Sequence, residues 1–415
     1  MSYISHLRGL GSGQHYRADT PMNLDPLDGR PVEIVLDLER LAFELPDYAW
    51  YHPERRDMWR FGALLPLDIA NADDRRHIVP LGEGCTPLRD YSRHPLARAL
   101  GLTLQVKDEG KAETGFGANP TQSFKDRGMA MTVAMARHYG LTQLAIPTQG
   151  NAGDSLATYA LAGDLAVVVV MPDNTPMPIQ GRVAALAARH AQIELAFVRG
   201  TIREAGALLR ERYLPQGYFN VATFQEPGWR IEGKKTLGLE LAEPQSSSRR
   251  WQLPDVIVYP TGGGTGVLGM WKAFAELEAL GVIGGERPRM VCVQAAATPP
   301  IVNAWRSGAA DTTPVAAGPT LCTGLNVPGG VGHFMVLEII RASGGCAIAV
   351  EEDATAAAFA ALWRETGWWL CPETAACFAA LEPLADQGML KRGERVVVVN
   401  TASFEKYLPE VRHLL

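Results

Sequence analysis

The chain has 415 residues, 47% hydrophobic and 20% charged, which suits an ordinary globular protein of two or three folding units. Its net charge is −6, with Lys and Arg scattered rather than blocked, so nucleic acid is not an expected partner. The six cysteines form no CxxC pair or His-rich cluster, and no stretch approaches the ~18 apolar residues of a membrane span, so we expect no metal site, no membrane contact and a cytoplasmic location.

In chain order, residues 1–80 are Pro- and charge-rich, with short helical hints in "VEIVLDLERLAFEL" and "MWRFGALLPL". They read as an extension packed on the main body. From about residue 100, β-branched runs alternate with amphipathic segments. "LTLQVKDE" predicts a strand, "GMAMTVAMARHYG" a helix ended by Gly140, "TQLAIPT" a strand and "NAGDSLATYALAG" a helix. "LAVVVVMP" reads as a strand buried on both faces, followed by the helix "PIQGRVAALAARHA" and the strand "IELAFVRG". "TIREAGALLRERY" is helical, with "YFNVAT" extended after it.

Beyond residue 230 the pattern resumes with helix "KKTLGLELAE", strand "DVIVYPT", helix "GVLGMWKAFAELEALG" and strand "RMVCVQA". The segment 244–254 reads as a polar surface loop. "CAIAVEE", two helices ("ATAAAFAALWRETG" and "TAACFAALEPLADQG") and the strand "ERVVVVNT" complete the chain. Strands alternating with helices imply an α/β fold with parallel sheets covered on both faces. We expect a large domain from 81–120 and 226–415, and a smaller α/β domain from 121–225.

Ligands in such folds gather where loops leave the carboxyl ends of strands. "PTQGNAGDS", "YPTGGGTGVLG" and "VVNTASFEK" sit at such ends, and "NPTQSFKDRG" opens a helix after a strand and loop. The glycine run of the second closes backbone amides on an anion at a helix start, a phosphate cradle. Its formal GxGxxG lacks the acidic residue expected ~20 positions on, since "RMVCVQA" ends in Gln294 and alanines, which excludes a dinucleotide site. A phosphate cradle together with a lysine at a loop–helix junction points to pyridoxal phosphate, whose aldehyde forms a Schiff base with an amine. Lys125 occupies a helix start, where a neutral amine is favoured over a charged one; Lys107, at the end of "LQVK", is the other candidate.

The ordered set "NPTQSFKDRG", "TQGNAG", "YPTGGGTG", "CPETAA" and "NTAS…KY", flanked by "MWRFGALLPL", "PLGEGCTPL" and "RIEGKKTLGLEL", resembles the threonine synthases over about residues 55–410. The resemblance implies fold type II of the pyridoxal phosphate enzymes (tryptophan synthase β-like), with two parallel-sheet domains and the cofactor between them. It implies Lys125 as the Schiff-base lysine, and Asn151 on the cofactor's ring oxygen. Gly262, Gly263, Gly264, Thr265 and Gly266 would hold its phosphate, and Thr401 would face the pyridine nitrogen. Thr148, Gln149 and Ala152 match the loop that meets a substrate α-carboxylate. Arg230 matches an arginine that binds a substrate phosphate, and Ser155 and Lys234 lie nearby in the motifs. The implied reaction is γ-elimination and then β-addition of water, turning O-phospho-L-homoserine into L-threonine and phosphate, and the implied assembly is a homodimer.

The chain departs from that pattern in its substrate-facing parts. An insertion, "GKAETGFGA" (110–118), precedes the lysine segment, and Gln122 stands where relatives carry glycine. Thr374 replaces another glycine, Ala402-Ser403-Phe404 follows Thr401, and Asp154 adds a negative charge to the substrate loop. Phe404 is expected to reshape the pocket beside the pyridine nitrogen. Two alternatives stay open: replacement or elimination on another amino acid, as in cysteate synthesis or specialised metabolism, and a non-catalytic binding protein of the same fold.

Overall fold

The computed structural model describes residues 3–113, 115–245 and 250–415. Residue 114 of the insertion and residues 246–249 of the expected surface loop lie outside this set. In chain order the strands are β1 (Ile4–Gly9), β2 (His15–Tyr16), β3 (Val32–Leu36), β4 (Leu88–Asp90), β5 (Thr103–Asp108), β6 (Gln143–Pro147), β7 (Ala166–Pro172), β8 (Ile193–Val198), β9 (Phe219–Asn220), β10 (Val256–Pro260), β11 (Arg289–Ala295), β12 (Cys346–Val350) and β13 (Arg395–Asn400). The chain divides into two units: residues 1–85 with 119–236, and residues 86–118 with 237–415.

The first unit holds a parallel sheet of order β8-β7-β6-β9 and an antiparallel sheet of order β2-β1-β3. Val167 to Val170 of β7 are fully buried, as a strand covered on both faces requires. Alternating burial along "VEIVL" makes β3 a half-buried strand rather than the start of a helix. The helix of that stretch begins only at Leu38, where the Asp37 side chain accepts from the Arg40 N–H and caps it.

The second unit holds a six-stranded sheet of order β12-β11-β10-β13-β5-β4, parallel throughout except for β4. Its central strands β10 and β13 are parallel neighbours, so the loops after Pro260 and after Asn400 leave the same edge side by side. The stretch "TAACFAALEPLADQG" forms two helices, Pro372–Ala379 and Leu381–Asp386, and not one. Pro383 lacks the N–H that would bond back to Ala379, and its ring crowds that carbonyl. Helices Pro300–Ser307 and His333–Ala342 occupy a region in which the sequence analysis assigned no element.

Candidate active site

In the first unit the chain turns into the helix Lys125–His138, with Lys125 as its first residue. The turn is held by Asp126, which is fully buried. Its carboxylate accepts from the Thr121 N–H (2.7 Å), the Thr121 hydroxyl (2.6 Å) and the Ser155 hydroxyl (2.6 Å). Ser155 lies on the helix Asn151–Ala162, so one carboxylate ties the lysine turn to the helix that begins with Asn151. Three donors, two of them from one threonine, account for a buried charge at this position. The Ser155 hydroxyl is thereby engaged in bracing the turn.

Gln122 sits three residues before Lys125 at φ +57°, a conformation that glycine adopts freely and glutamine does not. A non-glycine residue held there costs about 1 kcal/mol and marks a locally over-determined turn.

The strand-end loop after β6 runs Thr148-Gln149-Gly150 into the Asn151 helix. The N-cap is Gly150, and Asn151 is already inside the first turn, so its amide does not cap the helix. The Thr148 hydroxyl bonds within the loop, to the N–H and the carbonyl of Gly150 (3.2 Å each). Gln149 and Ala152 are half-buried, and Thr148 is buried. Asp154 does not bring free negative charge to this loop: it is fully buried and bonded by the Arg182 Nε through both oxygens, at 3.0 and 2.9 Å.

Arg230, in the helix Trp229–Ala242, is buried rather than a surface charge. One guanidinium nitrogen donates to the Val221 carbonyl (3.4 Å), while Nε has no hydrogen-bond partner. Burial pushes its pKa down, opposed by Glu226. Burial in turn pushes the Glu226 carboxyl up to about 7, opposed by Arg230 and Lys234. Lys234, also fully buried, approaches the Phe124 ring at 4.9 Å from its centroid, and Lys125 approaches the same ring at 4.6 Å.

In the second unit, strand β10 ends in Thr261-Gly262-Gly263-Gly264 and opens the helix Thr265–Ala279, whose N-cap Gly264 provides no side chain. Each of three glycines is required by what lies behind it. A Cβ on Gly262 would come 2.6 Å from the Gly324 carbonyl, one on Gly266 would overlap the Tyr259 hydroxyl, and Gly264 adopts φ +83° against Val336. His333 fixes the loop further through Nε2, 2.9 Å from the Gly262 carbonyl. The outcome is a side-chain-free helix start with the positive end of its dipole presented, an arrangement suited to phosphate. The residues therefore fit a phosphorylated cofactor.

Thr401 follows β13 at the adjacent strand end. Its hydroxyl lies 3.6 Å from the Cys371 sulfur, whose thiol burial pushes up to about 12. A threonine beside an un-ionised thiol is a neutral hydrogen-bonding group. Asn400 Oδ1 holds this corner together, accepting from the Cys371 N–H (3.0 Å) and the Thr374 hydroxyl (2.7 Å). Thr374, in place of glycine, thus gains a structural bond.

Phe404 does not stand free beside the site. It is buried, stacked on Trp369 at 4.6 Å and set edge-on to Phe359 and Trp363. The 110–118 insertion is anchored to the same cluster: Lys111 lies 4.4 Å from the Trp369 ring and 3.1 Å from Glu405, and Glu113 lies 3.3 Å from Arg89. Lys107, the other lysine considered, is held by Glu240 (2.6 Å) and the Thr86 carbonyl (2.6 Å). Its amine is engaged in a buried ion pair.

The expected residues thus fall in two groups. Lys125, Thr148, Gln149, Asn151, Ala152, Ser155 and Arg230 belong to the first unit, and Gly262 to Gly266 with Thr401 belong to the second. Asp126, Arg182 and Glu226 escaped sequence reasoning. An acid after a lysine and an arginine 28 positions from an aspartate carry no local signal of their partners. Among the described residues no cluster suits a metal ion, and no helix is long and apolar enough to cross a membrane.

Residues 79–402 match the pyridoxal-phosphate dependent enzyme family. The threonine synthase of Methanosarcina acetivorans is 33% identical over 374 residues, covering 90% of this chain and 83% of that protein. The threonine synthase of Methanocaldococcus jannaschii is 30% identical, covering 90% and 86%. Among solved structures, diaminopropionate ammonia lyase from Escherichia coli superposes with a TM-score of 0.64 at 18% identity, over 82% of this chain and 89% of that one. Threonine deaminase isoform 2 from Solanum lycopersicum gives 0.63 at 20% identity, over 82% and 91%. The chain belongs to the pyridoxal-phosphate dependent enzymes of fold type II, and is a lyase that takes pyridoxal phosphate as its cofactor and has threonine synthases among its relatives.

Proposed function

We propose that the enzyme converts O-phospho-L-homoserine and water to L-threonine and phosphate. The observation that carries this reading is the identity of about one third to a threonine synthase over nine tenths of the chain. The buried guanidinium of Arg230 in the same unit as Lys125 supports an anionic substrate.

When bound, the cofactor supplies an electron sink that stabilises negative charge at the substrate's α-carbon. Lys125 holds it covalently, and its released amine takes and returns the proton at that carbon. The amides and helix start of Gly262 to Gly266 receive its phosphate, Asn151 orients its ring oxygen, and the neutral Thr401 hydroxyl meets its ring nitrogen. The Thr148–Ala152 loop, at the start of a helix, receives the substrate α-carboxylate through backbone N–H groups. Arg230 receives the γ-phosphate. In this reading the protein is a cytoplasmic homodimer; six buried cysteines, none of them in a disulfide, support a reducing compartment.

A second reading, action on another phosphorylated amino acid, is favoured by Gln122, whose left-handed backbone lies in the turn that leads into Lys125. Comparison of kcat/KM for phosphate release from O-phospho-L-homoserine and O-phospho-L-serine separates the two. Preference for the homoserine ester with threonine as product supports the first, and preference for the serine ester refutes it.

A further inference from the structure

The lysine helix Lys125–His138 and the helix Trp229–Ala242 meet through glycines. A Cβ on Gly233 would overlap the Arg127 carbonyl, and one on Gly128 would lie 3.3 Å from Cε of Lys234. This close approach brings together the residue one turn before Gly128 and the residue after Gly233. Both amines reach the same Phe124 ring, so Nζ of Lys125 and Nζ of Lys234 are no further apart than 4.6 and 4.9 Å added together.

Lys234 has no solvent exposure. The charged groups that bear on it are Lys125 from the facing helix, Arg230 from its own helix and Glu226 from the segment before it. Neighbouring acids are engaged elsewhere: Glu232 pairs with Lys235 at 2.6 Å, and Asp126 accepts from Thr121 and Ser155. Burial and two cations outweigh the one acid and push the Lys234 amine well below its usual range. An amine that gives up its proton more readily than a lysine in water thus reaches the same ring as one that must shed a proton to act as a nucleophile.

We propose that Lys234 is the proton partner of Lys125, taking the proton that the Lys125 ammonium loses before its nitrogen attacks a carbonyl carbon, and giving it back when that nitrogen is released. The –NH3+ of Lys125 becomes –NH2 as the –NH2 of Lys234 becomes –NH3+, directly or through one water, and no electrons change hands. Lys234 acts through Lys125 and not on the substrate. The inference rests on the assignment of Lys125 as the cofactor's amine.

The test is stopped-flow absorbance of covalent attachment of pyridoxal phosphate to the cofactor-free full-length chain, from pH 6 to 10. Wild type is expected to attach with a midpoint below the ~10.4 of an isolated lysine. Lys234→Met attaches about 100-fold slower near neutral pH, the usual worth of a positioned proton acceptor, and its midpoint moves toward ~10.4. Lys234→Arg is equally slow, because guanidinium keeps its proton, whereas Lys234→His recovers part of the rate. A purely packing role would slow all variants without moving the midpoint. Identical pH profiles for wild type and Lys234→Met overturn the proposal. If Lys234→Met does not fold, equal rates for Lys234→His and Lys234→Arg overturn it as well. Covalent attachment that survives in Lys125→Ala would instead defeat the underlying lysine assignment.

Discussion

Replacing Asp126 by alanine is the sharpest probe of how the lysine turn is built. The substitution removes a buried carboxylate that accepts three hydrogen bonds. The two hydroxyls can rotate toward other acceptors, but the Thr121 N–H is fixed and fully buried. Stranding that donor costs about 1–3 kcal/mol, and each of the two hydroxyl bonds, partly replaced elsewhere, adds about 1 kcal/mol, so roughly 3–5 kcal/mol in all. For a unit of about 200 residues, each kcal/mol lowers the midpoint by about 2–4 °C, which predicts a fall of about 6–20 °C in the melting of the first unit. The companion variant Ser155→Ala removes one donor and leaves the carboxylate two others, so it should lose about 1–2 kcal/mol with KM unchanged. Differential scanning calorimetry of both variants, with initial-rate kinetics, reads these effects. A melting point for Asp126→Ala within 1 °C of wild type, or a tenfold rise in KM for Ser155→Ala with unchanged stability, would refute the bracing role.

Glu83 accepts from the Trp59 indole (2.6 Å), the Tyr159 hydroxyl (2.8 Å) and the Leu81 N–H (2.9 Å), and burial raises its carboxyl to about 7. Because the folded pKa lies above the unfolded one, stability is highest below pH ~4.5 on this account and declines as pH rises through 7, by about 3 kcal/mol. Glu83→Gln should flatten that slope in denaturant melts taken across pH 4.5–8, and an unchanged slope would count against it. Gly266→Ala should weaken pyridoxal phosphate binding at least tenfold in equilibrium titrations, since the new Cβ meets the Tyr259 hydroxyl and must displace the loop; unaltered affinity would show that the loop does not hold the phosphate.

Much of this architecture was legible because period and punctuation agree. β6, β10 and β13 are short apolar runs that end in glycine- or threonine-rich loops, and those loops mark the strand edges where candidate residues lie. Legibility failed where the deciding contact is remote in sequence. "VEIVLDLERLAFEL" mixes period two with period 3.6, and the change occurs at Asp37, whose capping bond reveals itself only in three dimensions. Phe404 reads as an intruder in the pocket because Trp369 and Phe359, which enclose it, lie 35 and 45 positions away. Asp154 reads as an added charge because Arg182 sits on the next helix. Gln122 shows the complementary case. Its departure from glycine is visible in the sequence, while the left-handed backbone that makes the departure costly belongs to the fold.

The most direct measurement is borohydride reduction of the purified holoenzyme, followed by proteolysis and mass spectrometry of the lysine peptides. The account predicts one reduced pyridoxal phosphate adduct, on Lys125, and none on Lys107 or Lys234. An adduct on either of those residues, or a protein that carries cofactor without any reducible link at Lys125, would contradict it.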